Sequence, residues 1–85
     1  MPPSTLADVL FASSLQPSDR PTAVRVREAV TLSLRLHGGR AGCAALVAVE
    51  FGEHPETAVA RMRWALSVAA DTVAADTIVA DAVAA

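Results

Sequence analysis

Helix-breaking residues interrupt this chain at three places, and between them apolar residues recur at helical spacing. The first break is Gln16-Pro17-Ser18-Asp19-Arg20-Pro21, where two prolines and a Ser-Asp pair disfavour helix. The second is Gly38, and the third is Gly52 shortly before Pro55. The segments in between place apolar side chains three and four positions apart, the period of an amphipathic helix. The expected fold is all-α: a compact bundle of about four helices with a long C-terminal helix.

Local signals set the expected helix limits. Thr5 and Asp8 match a capping box, in which two side chains satisfy orphan backbone donors, so helix one is expected from Leu6 to about Ser14. Helix two is expected from Ala23 to His37, with Thr22 as N-cap and Gly38 as its stop. Ala23, Val26, Ala29, Val30, Leu34 and Leu36 form its apolar arc, and Leu32 stands alone on the polar side. Helix three, about Ala41 to Phe51, is apolar nearly all round, Glu50 being its only charge, which predicts a central helix buried on several sides. Gly52 is expected to end it. Helix four starts near Pro55, a residue suited to a first turn because the N–H it lacks would be unpaired there. Val59, Met62, Leu66, Ala69 and Val73 form a heptad-like stripe, with Trp64 and Val68 on the opposite side.

Eighty-five residues make one domain. Its expected extent is 1–69, followed by an Ala/Asp/Val/Thr tail, 70–85, read as a helix extension or a disordered segment. The tail repeats in fives from Ala70, Ala75 and Ala80, which makes Asp71, Asp76 and Asp81 spiral around a helix. Cys43 is the only cysteine, so no internal disulfide forms and a reducing cytoplasm is the expected location. The N-terminus shows no secretory signal, and the strongly apolar stretch 41–51 is too short to span a bilayer. Net charge is -2, distributed as a mildly basic body and an acidic tail. All seven cations are arginines, and lysine and asparagine are absent. In this composition the chain resembles small uncharacterised helical proteins of high-GC actinobacteria, a resemblance that implies no activity.

Catalytic and metal chemistry find little support in the residues. His37, Cys43, His54 and Glu50 match no zinc-ligand spacing; capping and core roles fit them better. A nucleophilic Cys43 would need a histidine folded against it. The Gly38-Gly39-Arg40-Ala41-Gly42 segment lacks the strand and Lys-Ser/Thr pair of a phosphate loop, so it reads as a helix–helix turn. The expectation is a protein that is not an enzyme and has no cofactor.

Two non-catalytic readings follow. In the first, helix four carries more apolar surface than so short a chain can cover. Met62, Trp64, Leu66 and Val68 would then anchor a helix–helix contact, with a homodimer or another helical protein as partner. Such a chain is an interaction or regulatory module of the cytoplasm, with no membrane role. In the second, 44–62 has helix-turn-helix spacing: Ala48, then Gly52 at the turn, and Thr57 at the start of a reading helix. Arg25, Arg27, Arg35, Arg61 and Arg63 would contact DNA phosphates in a transcriptional regulator. Glu53 and Arg61 depart from that pattern, standing where it places apolar residues.

Overall fold

A computed structural model describes the backbone of residues 1–84 and the side chains of residues 1–76. Four α-helices and one short 3-10 turn succeed one another: α1 Pro3–Ala12, the turn Pro17–Asp19, α2 Ala23–His37, α3 Arg40–Glu53 and α4 Pro55–Ala84. No helix among the described residues is long and apolar enough to cross a membrane.

α1 starts three residues before the expected position. Pro3 opens the helix with its φ already set, and the Leu6 N–H donates to the Pro2 carbonyl at 2.9 Å. Thr5 and Asp8 lie inside the helix and no side chain caps its N-terminus, so the capping box expected there does not form. A capping box does form at the next turn, where the Gln16 N–H donates to Asp19 Oδ2 at 2.8 Å.

α2 has its expected limits. The Arg25 N–H donates to Thr22 Oγ1 at 3.3 Å, and Gly38 ends the helix in the left-handed region at φ 74°. The following Gly39 N–H reaches back to the Leu34 carbonyl at 2.7 Å. Gly42 answers a different demand. The chain folds back so tightly that any side chain at this position would collide with the His37 carbonyl.

Gly52 does not end α3; it lies within it. The break comes at His54, which alone separates α3 from α4. Pro55 is the physical reason: it has no N–H to continue the ladder, and its ring excludes helical continuity with the preceding turn. His54 takes φ -138° and ψ 64°, and its N–H still bonds the Glu50 carbonyl at 2.7 Å.

The core is centred on α1, not on α3. Leu6, Ala7, Val9, Leu10 and Phe11 are all buried, and α1 packs against each of the other three helices. In α3 only Cys43 is buried. α4 turns inward a line of small residues, Ala58, Ala65 and Ala69, with Met62 and Val68 partly buried beside it. The expected Val59–Leu66 side of the stripe faces water instead. Alanines on α4 let its axis come close to α1, whose leucines and phenylalanine fill the space between them. Leu36, expected in the core of α2, is 69% exposed. Packing continues past residue 70: Thr72, Val73 and Asp76 lie beside Met1, Leu6, Val26 and Arg27. The first repeat unit and the start of the second thus extend α4 along the body of the bundle, and the rest of the repeat, from Thr77, lies outside the residues whose side chains are described.

Candidate functional site

The last four carbonyls of any helix lack intrahelical donors. At the end of α1 each finds a partner, and three of the partners come from other helices. Ser33 Oγ of α2 donates to the Val9 carbonyl at 2.8 Å. The Ser13 N–H and hydroxyl both reach the Leu10 carbonyl, at 3.1 and 2.6 Å. Arg61 Nε of α4 donates to the Phe11 carbonyl at 2.8 Å, and His37 Nε2 lies 2.9 Å from the Ala12 carbonyl. Arg61 Nη2 then bonds the Ser13 and Leu15 carbonyls at 2.9 and 3.0 Å.

Arg61 is the hub of this arrangement. Its guanidinium lies 4.8 Å from the centre of the Trp64 ring and 5.7 Å from that of Phe11, within cation–π range of both. Burial lowers its pKa from the ordinary arginine value, yet a guanidinium stays charged at neutral pH. Its positive charge stands at the negative end of the α1 dipole, a favourable placement.

These bonds redefine the expected sites. Arg61 is committed to the protein's own backbone, and Arg27 lies 3.4 Å from Asp76 in an exposed ion pair. Arg25, Arg35 and Arg63 remain exposed. With Gly52 inside α3 and a single residue joining α3 to α4, 44–62 lacks the glycine turn of the helix-turn-helix spacing. His37 is occupied at Ala12, and Cys43 is fully buried, its Sγ 3.8 Å from Ser33 Oγ. Among the described residues no three His, Cys, Asp or Glu side chains converge on a metal position.

The four expected interface residues do not share one surface. Met62 and Leu66 lie on one flank of α4, Trp64 and Val68 on the other, with the buried alanine line between them. Trp64 and Val68 pack against the core and against the Pro17–Ala23 connection. Of the four, only Leu66 is largely open to solvent, at 45%.

A different apolar surface comes from α3. Its inward side carries Cys43, Leu46, Val47 and Glu50, the one charged residue between Ala41 and Gly52. Glu50 lines a cleft with Arg61 at the end of α1. The opposite side is exposed and uncharged: Ala41, Ala45, Ala48 and Gly52 recur at spacings of four, three and four, flanked by Ala44, Val49 and Phe51. Val49 is 51% exposed. The sequence showed this helix to be apolar all round, but not that its uncharged side would face out.

Comparison with known proteins found no matching family model, no matching characterised sequence and no matching solved structure. Its own geometry is what bears on its role.

Proposed function

We propose that this chain is a non-catalytic interaction module that pairs with a second copy of itself through the outward side of α3. One observation carries the reading: from Ala41 to Gly52 the exposed face of α3 holds no charge, while Glu50, the one acid of that stretch, is turned inward and the charged Arg40 and Glu53 stand at the helix ends. Small residues at heptad-like spacing let two helix axes approach closely, and Val49 supplies apolar area at one edge, with the part of Phe51 left open by its stacking on Phe11 at the other. A neutral face brings no like charges together when it meets its own copy. A closed twofold pair is the commonest way for one surface to satisfy itself.

Molar mass in solution, measured across a concentration series, tests this. The expected result is a mass rising from the 8.8 kDa of the single chain towards twice that value. Ala45→Glu places a charge at the centre of the stripe, yet glutamate is a good helix former, so the fold should survive. The variant should stay at the monomer mass with an unchanged helical spectrum. A wild-type chain that remains monomeric at high concentration would overturn the proposal.

A further inference from the structure

On the side of the molecule away from the Met62–Leu66 flank, the connection between α1 and α2 crosses α4 and leaves a cleft of about 430 Å³. Trp64, Val68, Thr72 and Ala75 line it from α4, with Pro17, Pro21 and Val26 opposite. Its volume lies within the range of small-molecule sites, which combine apolar walls with a few placed polar groups. Here those groups are Arg20 and Asp71.

Three features make the cleft more than a gap in packing. Arg61 sits over the Trp64 ring and fixes the indole that lines the cleft. The connection is stiffened by Pro17, Pro21 and the Gln16–Asp19 capping box, and it holds Arg20 at φ 44°, a left-handed conformation rare for a residue with a side chain. Among the described residues, finally, Arg20 and Asp71 form no ion pair and no side-chain hydrogen bond. A cation and an anion thus border one apolar wall, both open to solvent and neither paired among the described residues. A ligand of single charge would find a partner in only one of the two ions.

We propose that this cleft binds a small zwitterion with an apolar body, its anionic end on Arg20, its cationic end on Asp71 and its body against Trp64 and Val68. An α-amino acid with a large apolar side chain is the simplest molecule of this class. The inference is independent of self-association, because the α3 stripe contributes no residue to the cleft.

Trp64 is the only tryptophan and tyrosine is absent, so intrinsic fluorescence reports on the cleft directly. L-phenylalanine titrated into the full chain should give a saturable change in emission, with amide NMR shifts at Val68, Thr72 and Ala75. Arg20→Gln and Asp71→Asn should each weaken binding tenfold or more while leaving the melting curve in place. N-acetyl-L-phenylalaninamide, which keeps the body and lacks both charges, should bind more weakly by a similar factor. Ala45→Glu should bind as the parent does. The proposal is overturned if no saturable change or amide shift appears at millimolar L-phenylalanine. It is equally overturned if the uncharged analogue binds as well as the zwitterion, or if either charge-removing variant keeps full affinity.

Discussion

α1 and α3 are the two most apolar helices of the body, and they occupy opposite kinds of place. α1 buries five side chains and is held by three other helices; α3 buries one and turns a neutral side to solvent. The difference lies in side-chain size and position in the chain, not in hydrophobicity. Leu6, Val9, Leu10 and Phe11 are large enough to fill the space between neighbours, whereas α3 offers alanines that gain little from burial. The polar groups follow the same division. α2 and α4 supply Ser33, His37 and Arg61 to the carbonyl end of α1, so its burial leaves no acceptor unmet.

Paired substitutions would test this contrast. The largest effect is expected at the core: Leu10→Ala should destabilise the fold by about 2–5 kcal/mol, read from urea unfolding by circular dichroism. Val49→Ala on the exposed side of α3 should stay within about 0.5 kcal/mol at a concentration low enough to keep the chain monomeric. Equal losses from the two would erase the distinction between the helices.

Next in size is the carbonyl cluster. Arg61→Met removes three bonds from a charged donor and should cost roughly 1.5–3 kcal/mol or more. Arg61→Lys should recover little, since one ammonium cannot reproduce a planar fork reaching carbonyls of Phe11, Ser13 and Leu15. A lysine variant as stable as the parent would show that charge alone, acting on the α1 dipole, is enough. Ser33→Ala strands the Val9 carbonyl and should cost about 1 kcal/mol in the same assay. The smallest change is expected where the helices touch water: Asp76→Asn breaks an exposed pair with Arg27 and should shift stability by about 0.5 kcal/mol or less, especially in salt.

Much of the fold was legible from residues close in sequence. Thr22, Gly38 and Pro55 mark helix limits through their own backbone chemistry, and those limits hold. Gly52 misled because glycine permits a turn without enforcing one, whereas Pro55 enforces a break. The α1 cluster was less visible, though it left a trace. Ser33 and His37 continue the spacing of the buried Val26 and half-buried Val30, and polar residues on an inward line call for buried partners. Arg61 left only the apolar-position mismatch that set it apart in the helix-turn-helix spacing. The interface residues read from α4 were sound as an apolar list, but small rotations about that helix decide which of them are covered.

Helix content, helix order and the places where the chain must turn were determined by the sequence alone, because each depends on a few neighbouring residues and their φ/ψ preferences. The tertiary structure alone decided which apolar helix lies inside, which line of α4 meets it, and which side chains serve the α1 carbonyls. Those outcomes depend on groups far apart in the chain, as with Arg61 and Phe11, fifty positions from each other. Packing must fill space and pair every buried acceptor at once, a condition that no single stretch of sequence can express.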